Sequence, residues 1–544
     1  MLIRIPHYEA QQGFSRYNLA DVLAGINRTC RQVAKGQQLV SKSSALQTSP
    51  VWAAAETARL ALCWCREPDL NRSGQDIKIV QWEHLENLCD IASDTMMTAR
   101  TIGTAEAMAK FNERTVPDVA QHIFAPQMLL QRDSTYRAGQ ALLMYSEAAR
   151  RRHQRKPEFR IDLHEEALQN ALGCDIESFV LAVRQTQGRS LSDEFHITAD
   201  VLIPSRNRAY DDTKLWTESD GGLRLAAAGV MLEILSATPT MMRQWMEQEW
   251  ATLNLPNHGP RRAEGQVQFT EDERARAFLE APNPLHRYPL VRVFRTQRDH
   301  CIAPVPHLLN EWLYEPLAAF LHESFDLQGQ KRMDQVFEEY VGLVAEICSP
   351  DGGKWLHEDE LRPDPQANVV DWARPFDNSV VLLDAKKGYV SLARRYRSQG
   401  EDWTSVQRTN WTKAVVQGTK FWEDVKHGKV ATLARDRNKR PIIVVVSFSD
   451  TDWRAHRADM HQEILSKLPA GTDPLPYLIM SIDRFERIVS SWSDKGIEWL
   501  PEFLEKATVA GDDNDLRHLP AMTTGKLVNA FNHVFETLER QVAQ

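Results

Sequence analysis

Asp371, Asp384 and Lys386 are the residues of this chain whose types and spacing best suit chemistry. Two carboxylates that meet on one edge of a sheet can hold Mg2+, a hard cation that takes oxygen ligands and keeps several waters. Such a cation beside a phosphodiester activates water, neutralises charge growing on phosphorus and assists the leaving oxygen. A neighbouring lysine can orient the attacking water and stabilise developing negative charge. The chemistry expected here is metal-dependent hydrolysis of a phosphodiester, with Mg2+ or Mn2+ as cofactor.

The flanking residues say which elements must position these groups. Val369-Val-Asp371-Trp372 and Val380-Val-Leu-Leu-Asp-Ala-Lys386 are apolar runs around the turn Asp377-Asn-Ser379, the pattern of a β-hairpin. Antiparallel pairing brings Asp371, at the start of the first strand, near Asp384, at the end of the second. Alternation places Asp384 and Lys386 on one face. The backbone carbonyl of Ala385 lies between them as a further ligand. A helix expected over 333–348 carries Glu338 and Glu339, and either acid could complete the shell. Asp364, in Pro363-Asp364, is the alternative first acid; Asp371 is preferred because it closes the shorter hairpin. Pro375 inside the first strand points to an edge or a bulge. Beyond the hairpin come a long helix over 403–426, a near-continuous apolar strand from Pro441, a second from Tyr477, and a helix from Asp483.

Taken in order, a helix Glu, an Asp and an Asp-x-Lys make this region similar to the PD-(D/E)XK nuclease superfamily. The matching pieces are Val336-Phe-Glu-Glu-Tyr-Val341, Val369-Val-Asp371 and Val380-Val-Leu-Leu-Asp-Ala-Lys-Lys387, within roughly 331–500. The resemblance implies a restriction-endonuclease-like domain with a mixed central sheet. It also implies a Mg2+-dependent phosphodiesterase acting on DNA, less often RNA. By it, Asp371 and Asp384 are metal ligands, Lys386 is the catalytic lysine and Glu338 the helix acid. Gln417 or Lys420, on the next helix, supplies an accessory polar group. Val370 stands where the family has proline.

The rest of the chain sets the context. With 42% apolar and 26% charged residues in 544, the class is ordinary globular protein of several domains. The fold class expected is α+β. A helical recognition or regulatory region spans 1–255, a mixed connecting segment 256–330, the nuclease-like domain 331–510, and a C-terminal helix 511–544. No apolar run is long enough to cross a membrane and the first residues lack a secretory signal, so a cytoplasmic location is expected. The seven scattered cysteines fit neither a disulfide framework nor a zinc site.

Net charge is −9, yet residues 385–440 hold fourteen Lys or Arg against five Asp or Glu. Such an excess can steer a polyanion. Lys387, Arg394, Arg395, Lys413 and Lys420 are the expected nucleic-acid contacts. Trp403, Trp411 and Trp422 read as packing residues. The basic run Arg150–Lys156 reads as the solvated last turn of a helix, with nucleic-acid contact as the other reading. His357-Glu358 lacks the spacing by which a helix presents a metal. A helical region fused to such a nuclease resembles single-gene bacterial anti-phage proteins, in which a phage component is the trigger. The reading of a different class is a nuclease-like fold that binds without cutting.

Overall fold

The computed structural model describes residues 7–37, 39–67, 78–110, 136–191, 231–254, 269–293, 301–362, 369–387, 401–448, 457–510 and 525–543. The fold is α+β: helices predominate up to residue 347, and a mixed sheet follows. No helix among the described residues is long and apolar enough to cross a membrane.

The N-terminal helices include α1 (Leu19–Ala34), α2 (Pro50–Trp64) and α3 (Trp82–Lys110). Pro50 opens α2, where a missing N–H leaves nothing unpaired. These helices pack together around one hydrophobic cluster. After them come α4 (Arg137–Leu142), a π turn over Leu143–Glu147, and α5 (Ala148–Arg155). The apolar periodicity over 162–186 resolves into two helices, α6 (Ile161–Leu172) and α7 (Ile176–Leu191). Gly173 separates them at φ 69°, the left-handed conformation that ends helices. Thr270 caps the helix Glu271–Glu280 with a full capping box. Three short strands, β1 (Ser236–Ala237), β2 (Leu290–Arg292) and β3 (Cys301–Ile302), make a small mixed sheet. All seven cysteines are buried and free.

From α8 (Leu327–Ile347) the chain enters the larger sheet: β4 (Leu356–His357), β5 (Trp372–Pro375), β6 (Ser379–Lys386), β7 (Arg440–Ser447) and β8 (Tyr477–Ser481). The strands lie in sequence order. The first three are antiparallel and the last three parallel. Pro375 ends β5 beyond the two residues that β4 covers, so its missing N–H costs no bond on that edge. Helices α9 (Glu401–Lys426), α10 (Ile482–Trp492) and α11 (Lys526–Ala543) complete the region.

One hydrophobic cluster reaches from Tyr136 to Phe531 and joins α4–α8, the larger sheet and α9–α11. Helices α4–α11 therefore share a core with the strands that carry the candidate site. A buried polar network ties them further. Arg137 on α4 grips both oxygens of Asp483, at 2.7 and 3.0 Å. Gln140 Nε2 and Tyr340 Oη donate to Glu486. Burial, reinforced by Asp483, pushes the Glu486 carboxyl up to about 8. A carboxyl raised on folding stabilises fully below its unfolded pKa near 4.5, and that contribution is lost as pH rises through about 8. Glu486→Gln is thus expected to flatten the fall in melting temperature between pH 5 and 8. Melting curves across that range check it; an unchanged pH slope contradicts it.

Helix α8 docks on β5 through a small residue and a large one. Gly342 faces the Trp372 ring so closely that an added Cβ would sit 2.1 Å from Trp372 Cε2. One turn earlier, the Trp372 indole donates to the Glu338 carbonyl at 3.0 Å. These contacts set the rotation of α8 and hence which acid faces the strand ends. Gly342→Ala must push helix and sheet apart, at a cost of about 1–3 kcal/mol. Chemical denaturation measures it; an unperturbed midpoint would mean the two elements part freely.

Candidate active site

The short turn over 377–378 joins β5 to β6 in a register in which Trp372 faces Leu383. One step further along, Asp371 lies opposite Asp384. The Asp371 Oδ2 accepts the Ala385 N–H at 2.7 Å, so the backbone of β6 clamps the first carboxylate. Val369 and Val370 are buried just before it, and Gln417 on α9 donates to the Val369 carbonyl. Asp384 is completely buried, and its Oδ1 meets the Lys386 ammonium. Its Oδ2 has no hydrogen-bond partner. Lys386, at the strand end, keeps about a quarter of its side chain exposed, at 23%.

Helix α8 adds the neighbouring glutamates Glu338 and Glu339, which point in different directions. Glu339 is fully buried and turns toward α5, where Arg151 lies 2.6 Å from it and Arg155 3.3 Å. Glu338 faces the strand ends, within the fields of Lys386 and Asp384. Burial pushes its carboxyl up to about 7, with Glu358 and Asp384 adding to the rise and Arg152 and Lys386 opposing it. Burial likewise holds the Asp371 carboxyl well above the ordinary range, and the charges of Asp384 and Glu338 push it further. Burial alone would lower the Lys386 ammonium, but Asp384 and Asp371 outweigh it and the net movement is upward. Three acids thus surround one lysine, and negative charge is in excess.

That imbalance suits a divalent cation. Asp384 carries a buried oxygen without a partner, and the Asp371 carboxyl is destabilised as an anion by its neighbours. Both are hard oxygen donors of the kind Mg2+ takes. Glu338 stands beside them, and the Ala385 carbonyl leaves β6 on the edge where its N–H meets Asp371. A second group, His357, Glu358 and Asp359, brings ligand atoms within 4.8 Å of one another. There the Lys156 ammonium already sits 2.6 Å from Glu358 and 2.9 Å from Asp359. A resident cation of the protein's own makes it the poorer metal site.

The other expected contacts fare unevenly. Lys413 is exposed and Lys420 half-buried on α9. Lys387 does not reach the surface: its side chain is buried, 3.7 Å from Asp334. Gln417 spends its amide on Val369 and supports the backbone before Asp371. Asp364, Arg394 and Arg395 lie outside the described residues, as does the side chain of Trp403; Trp411 and Trp422 are buried in the core.

Residues missed from sequence come from α5 and from the segment after β4. The basic run at 150–156 is solvated only in part: Arg150 and Gln154 are exposed, but Arg152 is not. Arg152 is 3% exposed, with its Nη1 3.2 Å from His357 Nε2 and 4.0 Å from Glu338. Its Nη2 lies 3.8 Å from Glu358, whose N–H donates to the Asp371 carbonyl at 2.9 Å. Burial and nearby Arg155 lower His357 to about 4, so its ring is neutral at pH 7. The available signal was the pairing of five bases over 150–156 with the acid-rich segments 338–339 and 358–360.

No family model, curated protein or solved structure matches the chain. The function must be argued from the site itself.

Proposed function

We propose that the protein is a Mg2+-dependent nuclease that hydrolyses phosphodiester bonds of DNA, in the manner of the PD-(D/E)XK superfamily. The observation that carries this reading is the convergence of Glu338, Asp371 and Asp384 around Lys386 at the end of a short hairpin. Mg2+ held by the two aspartates would supply an acidified water and charge neutralisation at phosphorus. In the metal-free site its acid neighbours raise the Lys386 ammonium, which suits the lysine to donating rather than accepting a proton. It donates hydrogen bonds to the attacking water and to a phosphoryl oxygen, where negative charge grows. Glu338, poised near neutrality, takes the proton of the water whose oxygen bonds to phosphorus. The ester P–O bond breaks, and the departing oxygen is protonated from solvent.

DNA is favoured over RNA on the family resemblance, and the excess of basic residues over 385–440 fits any polyanion. The wider role is that of an anti-phage effector whose helical part senses a phage component. It is supported by the direct grip of α5 on Glu339, which gives that part a physical route to the site. Plasmid DNA and single-stranded RNA incubated with Mg2+ or with EDTA test the activity, with and without phage-infected cell extract. Cutting is expected with Mg2+ and not with EDTA. Absence of metal-dependent cutting under every condition would leave a nuclease-like fold that binds without reacting.

A further inference from the structure

Beside the acids lies a cavity of about 350 Å3, whose lining includes the bases Arg152, Lys156 and Arg362 and the acids Glu158, Glu358 and Asp359. That volume is within the range of small-ligand pockets, roughly 300–1,000 Å3. Most charges around it are already matched. Lys156 takes Glu358 and Asp359, and Arg362 lies 2.8 Å from Glu358. Arg152 has two carboxylates within 4.0 Å but is poorly hydrogen-bonded. Its guanidinium has five N–H donors in a rigid fork. Among the described residues it makes one hydrogen bond, to His357 Nε2, and its Nε is buried without a partner. The nearest carboxylate oxygens, at 3.8 and 4.0 Å, are beyond hydrogen-bond reach. A buried, under-bonded guanidinium is costly unless an anion completes it. A planar fork matches a phosphate better than any other common anion save a carboxylate.

We propose that Arg152, supplied by the helical part of the chain, is a catalytic residue that binds the phosphate of the strand being cut. The cavity then carries the adjoining nucleotide. The active site is accordingly built across the two parts of the molecule: acids and lysine from the sheet and α8, the phosphate fork from α5. This inference rests on the nuclease reading, because it names a group that touches that reaction's substrate.

Binding of a fluorescent DNA duplex is measured at several salt concentrations, with Ca2+ in place of Mg2+, alongside steady-state cutting in Mg2+. Arg152→Gln is expected to lower kcat/KM about 10- to 100-fold. It should also reduce the slope of log affinity against log salt by about 0.9, the mark of one lost phosphate contact. Arg151→Gln, which faces Glu339 instead, should leave that slope unchanged. Arg152→Lys keeps the charge but not the fork, so it should keep the slope and recover only part of kcat/KM. If Arg152 only neutralises its acid neighbours, Arg152→Lys is fully active and Arg152→Gln keeps the wild-type slope. Either result overturns the proposal, as does a rise in cutting for Arg152→Gln, which would make Arg152 a restraint. A wild-type protein that neither binds nor cuts nucleic acid defeats the nuclease reading itself. Binding with an unaltered slope in Arg152→Gln defeats this inference alone.

Discussion

Replacing Lys386 by alanine is expected to lower Mg2+-dependent cutting by about 10²–10³-fold, the usual loss when one aimed donor leaves a developing charge. The effect should fall on kcat more than on KM, because the growing charge exists only in the transition state. From sequence, Lys386 reads as a strand-end charge whose loss would scarcely touch folding. The structure alters that expectation. Its partner Asp384 is fully buried, and Asp371 and Glu338 stand close by. Without the ammonium the two aspartates lose their nearest cation, Glu338 is left with Arg152, and Asp371 and Glu338 will hold protons more tightly. The variant should therefore keep its fold near pH 6 and weaken as pH rises. Cutting assays together with melting curves at two pH values separate the effects. Full activity in a folded Lys386→Ala protein would remove the lysine from the chemistry.

Asp371→Asn should move stability and activity in opposite directions. The carboxyl is held well above its ordinary range by burial and by the charges of Asp384 and Glu338. At pH 8 the metal-free protein stores that repulsion. An amide keeps the acceptor for the Ala385 N–H and sheds the charge. Its melting temperature in EDTA should rise by on the order of a few °C, because the penalty is gone. Mg2+ should then stabilise the wild type, by about 2.7 kcal/mol at a hundredfold excess over Kd, and the variant hardly at all. Cutting should fall sharply in the variant. Destabilisation in EDTA would instead identify Asp371 as an ordinary structural acid.

Much of the hairpin was legible. The Asp377-Asn-Ser turn between two apolar runs marks the hairpin, and in it the Asp371 carboxylate accepts the Ala385 N–H, next to Asp384. The strands at Pro441 and Tyr477 were visible as unbroken apolar runs because parallel strands bury both faces. Glu338 and Glu339 could not be separated, since neighbours on a helix point about 100° apart and only docking picks one. Gly342 and Trp372, thirty residues apart, make that choice. Arg152 was less legible still. A helix end rich in bases reads as solvated, and its burial depends on contact with residues some two hundred positions away. The break at Gly173 was hidden because the apolar spacing continues across it.

The most direct test is a crystal structure of the protein soaked in Mn2+, which takes the same oxygen ligands as Mg2+ and is located by its anomalous signal. The signal is expected between Asp371 and Asp384, with Glu338 or its water beside it and Lys386 within reach of a metal-bound oxygen. A signal at His357, Glu358 and Asp359 alone, or no signal between Asp371 and Asp384, would contradict the assignment.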